Sequence, residues 1–252
     1  VNLAPSSRRV RLATLVAGVA IVIGLAAPAG AQDVSINFGQ GTGLTERVIQ
    51  MIALLTVLSL APSILVMVTS FTRIVVVLSL LRTALGTATA PPNTVLVSLA
   101  LFLTAFVMGP AFERAYDIGI KPLINNEITT QQAFERSSEP LRAFMLKNVR
   151  EKDLTLFVDM SHEARPDKPE DLSLRVLVPA FMISELKRAF EIGFLLFLPF
   201  LIIDLVVASV LMSMGMMMLP PVVVSLPFKL IFFVLVDGWS LVAGSLVQSY
   251  GT

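Results

Sequence analysis

The sequence predicts an all-α membrane protein: two proline-broken helical hairpins, four hydrophobic segments in all, with a small helical extramembrane insert. Three observations carry this. The 252 residues are 55% hydrophobic and only 15% charged, with mean hydropathy +0.82, where soluble domains carry about 25% charged residues. The apolar residues fall in long uncharged runs, two of which are cut by a glycine and then a double proline, Gly86-x4-Pro91-Pro92 and Gly215-x4-Pro220-Pro221. Between those runs, residues 113–175 hold 12 acidic and 10 basic side chains of the chain's 18 and 19.

The same composition narrows function. A net charge of +1 gives no reason to expect nucleic acid as a partner. With no cysteine, disulfides, thiolate catalysis and cysteine metal sites are out. The single histidine, His162, cannot build a multi-histidine site, so neither metal nor cofactor is expected.

Residues 1–31 read as a cleavable signal. Arg8, Arg9 and Arg11 precede an apolar core at residues 12–25, and Ala29-Gly30-Ala31 supplies the small residues at the cut, between Ala31 and Gln32. That core is short for a spanning helix. Residues 32–43 are polar and glycine-rich, a flexible leader without the strand–helix context of a phosphate loop.

Residues 44–112 form the first hairpin. Residues 48–72 carry no charge, enough for one crossing of a core about 30 Å thick, with Pro62 expected to kink it. Arg73 and Arg82 flank the next apolar stretch, and residues 95–108 make a further run that is short for an upright span. Residues 113–175 form the insert, expected outside the cytoplasm. Thr129-x-x-Gln132 can cap a helix, Ser138 before Pro140 can start another, and Leu141, Phe144, Met145 and Val149 share one apolar face. Leu154, Phe157 and Val158 predict a further amphipathic turn, and residues 164–169 a linker. Residues 176–252 form the second hairpin.

That second hairpin holds the residues worth weighing. Asp204 and Asp237 interrupt otherwise apolar runs, where a carboxylate costs about 3 kcal/mol at membrane centre. They read as an ion relay, as a protease pair, or as structural groups, an ion pair or a helix cap, with Lys229 as a candidate partner. No Gly-x-Gly-Asp precedes Asp237, which argues against hydrolysis. Glu185 and Arg188, and Lys187 and Glu191, are spaced to pair along a helix. A sharper alternative takes Glu185 across a subunit boundary to a cation of the insert such as Arg150. Finally, Met212, Met214, Met216, Met217 and Met218 crowd the bend before Pro220-Pro221. Thioethers there can bind Cu(I), fill a core, or make a conformable seal of unbranched, polarizable side chains.

Long motifs in this chain resemble the FliP family of flagellar type III export-gate proteins. They include Ser70-Phe71-Thr72-Arg73-Ile74, Pro91-Pro92-Asn93, Ser184-Glu185-Leu186-Lys187, Pro199-Phe200-Leu201-Ile202-Ile203-Asp204, Gly215-Met216-Met217-Met218, Leu226-Pro227-Phe228-Lys229 and Asp237-Gly238-Trp239. The resemblance runs from about Leu44 to the end of the chain and is looser in the insert. It implies a non-enzymatic pore subunit in the bacterial inner membrane, within the flagellar basal body. It further implies a homo-oligomer, expected as a pentamer, assembled with FliQ, FliR and FlhB, leading to the rod and passing unfolded export substrates. Met216, Met217 and Met218 would form its seal, with Gly215, Pro220 and Pro221 breaking the helix around them. Arg150, Glu185, Lys187 and Arg188 would be subunit-interface charges. The resemblance also implies hairpins standing largely above the lipid plane. An ion-coupled transporter using Asp204 or Asp237 is the alternative.

Overall fold

A computed structural model describes residues 44–87, 89–161, 171–216 and 218–251, and among these there is no strand. The signal with its Ala31–Gln32 cut, the leader, His162, the 164–169 linker and Met217 lie outside the described residues. The chain forms two compact units, Val1–Leu55 and Thr56–Thr252. The described part of the first is the opening half of helix α1, Leu44–Val68, which is continuous through Pro62.

In the second unit, α2 (Phe71–Leu85) ends at Gly86, whose φ of 76° is the left-handed conformation that favours glycine. Pro92 then precedes α3, Asn93–Ala115. This helix outruns the short segment expected from residues 95–108. It tolerates Pro110 inside it and continues through a π-turn, Tyr116–Ile120, into α4, Lys121–Ile124. The carbonyl of Ala115 at the π-turn accepts from Ser137 Oγ at 3.2 Å, and Gly119 lets the turn lie against the next helix. A Cβ there would stand 2.8 Å from Ala133 O and 2.9 Å from Ser137 N.

The insert helices follow. Thr129 and Gln132 exchange capping bonds of 3.3 and 3.1 Å at the start of α5, Thr130–Asn148, as the spacing predicts. No second helix starts at Ser138: its hydroxyl donates to Glu135 O at 2.8 Å, and Pro140 is buried inside one continuous helix. Proline there removes one ladder bond, yet the helix runs on through it. Met145, with Leu141, Phe144 and Val149, packs on Leu177 and Phe181, so the predicted apolar face docks the insert. Helix α6, Glu151–Ser161, adds Val158 and Phe157 against Val176.

The second hairpin opens on α7, one helix, Leu174–Ser213, 40 residues long and containing Pro179 and Pro199. At 1.5 Å per residue it measures about 60 Å, roughly twice the hydrocarbon thickness of a bilayer. The boundaries expected at 112 and 175 therefore fall inside continuous helices, α3 and α7. After a short loop come α8 (Pro221–Leu235) and α9 (Gly238–Gln248), bent by 63°. Among the described residues, two runs can cross a membrane by length and composition, Asn93–Ile124 and Leu174–Ser213, or three if α8 and α9 are one bent span. This is an all-α membrane protein.

The core is built on α2. Ile74, Val77, Leu78, Leu81 and Leu85 are buried against α3, α7, α8 and α9, through residues such as Ala100, Phe200, Phe233 and Leu246. Close approach of α2 to α7 needs Gly193, where a Cβ would lie 2.3 Å from Leu80 Cδ1; small residues serve this way between apolar helices.

Candidate functional site

The methionine bend is a capped loop. Helix α7 closes in a Schellman turn: Gly215 N donates to Met212 O at 3.0 Å, Met216 N to Leu211 O at 3.0 Å, and Gly215 takes φ 74°. Pro220 and Pro221 then open α8, where a first-turn proline gives up no useful donor. Among the described residues of the bend, Met218 is 98% exposed and Met214 66%. No charged residue lies between Asp204 and Lys229. The earlier break has the same build, with left-handed Gly86, a double proline and a following helix.

Below the loop, Asp204 on α7 accepts from two groups of α8. Ser225 Oγ donates to Oδ1 at 2.5 Å and Lys229 Nζ to Oδ2 at 2.6 Å. Lys229 also donates to Ala84 O at 3.3 Å. Lys229 and Ser225 are both buried. Such an arrangement satisfies a charge pair in an apolar setting; it leaves Asp204 accepting two bonds and offers no free base. Asp237 is separate. It stands at the head of α9 with φ 50°, makes no capping bond from its side chain, and does not meet Lys229.

Glu185 finds its partner within the chain, in Arg73. It is fully buried, and its carboxylate is gripped bidentately by Arg73 of the same chain, Nε to Oε2 at 2.9 Å and the terminal nitrogen to Oε1. The Tyr250 hydroxyl donates to the same carboxylate, the Arg73 guanidinium lies 3.8 Å over the Tyr250 ring, and Ser249 Oγ accepts from Arg73 at 2.9 Å. Burial first, then the negative charge of Glu185, push the Tyr250 phenol up from its ordinary value, so it remains a donor. The reason for this pairing is geometric: Arg73 lies in the first turn of α2, facing Glu185, and a planar fork fits a carboxylate.

The other expected interface charges divide. Arg150 pairs with Asp153 at 3.3 Å, and its backbone N–H donates to Ser184 Oγ at 3.0 Å, so the insert meets α7 one residue before Glu185. Ser184 in turn donates to Asp153 Oδ2 at 2.7 Å. Lys187 and Glu191 form the predicted helix-face pair at 3.2 Å, well exposed. Arg188 does not pair with Glu185, and its Nε is buried without a hydrogen-bond partner. Sequence reasoning missed Arg73, Ser184, Ser225 and Tyr250. Ser225 had a signal in the Val-Ser-Leu that follows each double proline; Tyr250, near the end of the chain, had none.

The sequence model of the FliP family matches residues 54–246. This chain belongs to the FliP family. It is 63% identical over 243 residues to the flagellar biosynthetic protein FliP of Caulobacter vibrioides, covering 96% of this chain and 91% of that one. The FliP of Rhizobium meliloti is 50% identical over 242 residues, 95% of this chain and 99% of the relative. That of Bacillus subtilis is 55% identical over 202 residues, 80% and 91%. The matched stretch of this FliP-family chain contains both Gly–Pro–Pro breaks, the Asp204–Ser225–Lys229 network, the Arg73–Glu185 pair and the whole described insert.

Proposed function

We propose that this chain is a pore-forming core subunit of the flagellar type III protein export gate, in which Met216, Met217 and Met218 seal the closed channel. Membership of the FliP family makes it a component of flagellar biosynthesis; the pore and the seal are the finer reading. The observation that carries it is the loop itself. Thioethers as exposed as Met218, on a helix break without a nearby charge, are costly in water and suit a loop covered by copies of itself or by passing chain. Soft, unbranched side chains can repack around an irregular object. The reading includes a homo-oligomer, a pentamer, assembled with FliQ, FliR and FlhB subunits beneath the flagellar rod. The insert lies outside the cytoplasm, unfolded substrates pass through the centre, and the subunit itself catalyses nothing.

The test is replacement of Met216, Met217 and Met218 by alanine in the assembled gate, reconstituted in vesicles. Ion leak rises while assembly is retained; an unchanged leak removes the seal. The alternative, an ion-coupled transporter, is disfavoured because Asp204 already accepts from Ser225 and Lys229. It revives only if Asp204→Asn stops transport in a fully assembled complex.

A further inference from the structure

Lys229 does more than neutralise Asp204. Its second acceptor, Ala84 O, is in the last turn of α2, two residues before the left-handed Gly86 of the first break. Leu226, one turn earlier on α8, lies against the same glycine: a Cβ on Gly86 would stand 3.6 Å from Leu226 Cδ1 and 3.9 Å from Lys229 Nζ. The first half of α8 is therefore fastened on two sides, to α7 through Asp204 and to the first break through Lys229 and Leu226.

The fastening sits at the base of the methionine loop. Helix rise places Ser225 about 6 Å and Lys229 about 12 Å beyond Pro221, and Asp204 about 14 Å before Ser213. Alongside it the two stem helices flank an open apolar groove of about 530 Å³, lined by Ile202, Val206, Val210, Val224, Phe228 and Phe232 among others. Among the described residues, no other side-chain hydrogen bond or ion pair joins α7 to α8. Apolar contacts across such a groove allow sliding, whereas a buried ammonium held by a carboxylate and a carbonyl fixes position and register.

We infer that Lys229 is a positioning residue for the methionine loop, tying its stem to the first Gly–Pro–Pro break so that the two breaks move as one unit. The coupling is a property of the chain, and only its consequence for leakage rests on the pore reading. Replacing Lys229 with methionine keeps the length and removes every donor; the α7–α8 stem then loses its link to Ala84 while the loop sequence stays intact.

Because the chain has no cysteine, Ser79→Cys with Met218→Cys gives a clean pair for spin labels at two exposed positions, one on α2 and one in the loop. Distances are measured in the assembled gate with the labelled chain diluted by unlabelled chain, and ion leak in the matching label-free complexes. Lys229→Met broadens the distance distribution and raises the leak. Gly86→Ala, which strains φ 76° at the other end of the link, broadens the distribution too. Lys187→Met, removing an exposed lysine paired only with Glu191, changes neither. A parent-like distribution in assembled Lys229→Met overturns the coupling. If Lys229→Met does not assemble, Gly86→Ala carries the test from the other end of the link, and a parent-like distribution there overturns it equally. A broadened distribution with an unchanged leak supports the coupling and removes the seal instead.

Discussion

Substituting Glu185 with glutamine keeps the shape of the side chain and removes its charge. In the native chain both Arg73 and Glu185 have side chains 0% exposed, so the substitution leaves a buried guanidinium without a counter-charge. Breaking a buried pair from one side costs about 3–5 kcal/mol, roughly two to three and a half decades in the folding equilibrium at about 1.4 kcal/mol per decade. Removing both charges, Arg73→Met with Glu185→Met, recovers most of this. About 1–2 kcal/mol of loss remains, because the Tyr250 and Ser249 hydroxyls lose their partner. Denaturant unfolding of the purified chain in mild detergent measures both, followed by far-UV circular dichroism. Arg150→Glu is the control: it disturbs a pair with Asp153 that is partly open to solvent and shows no coupling to Glu185. A loss below about 1 kcal/mol for Glu185→Gln, or a double variant no more stable than the single, would refute the argument.

Three further outcomes are expected. Gly119→Ala drives a methyl into Ala133 O and Ser137 N, backbone atoms that cannot step aside, and lowers stability by about 1–3 kcal/mol, read as a shift in thermal midpoint. Tyr250, taken as the difference between the parent and Tyr250→Phe, shows no tyrosinate absorbance in the folded state near pH 10, where an ordinary phenol ionises. Its folded-state pKa is raised, so its stabilising effect is full below about pH 10 and is lost as pH climbs beyond that; absorbance appearing before unfolding would contradict it. Thr129→Ala removes half of a capping box and costs about 1 kcal/mol, visible as faster amide exchange in the first turn of α5.

The parts of this molecule legible in its sequence are those governed by local rules. The capping box at Thr129, the apolar face around Met145 and the left-handed glycines before each double proline all follow from residues a few positions apart. The Lys187–Glu191 pair is equally local. The continuity of α7 through Pro179 and Pro199 was not legible, because a helix-interior proline costs a ladder bond and sequence alone does not show whether the helix runs on. Partner choice among charges failed for a different reason. Arg73 and Glu185 lie 112 residues apart, and spacing along a chain says nothing about which distant cation a carboxylate meets. Arg73 reads as the flank of an uncharged run, whereas among the described residues it is the most deeply buried cation. The Asp204–Lys229 pair was reachable because the two flank one bend.

The length of α7 has a mechanical consequence. Its first part carries the insert, through Leu177, Phe181 and Ser184, and its far end carries the methionine turn. A rigid rod of about 60 Å that tilts by about 5° displaces its tip by about 5 Å, one helical turn. A disturbance at the insert too small to break a single hydrogen bond there would therefore arrive at the other end as a movement the width of a side chain.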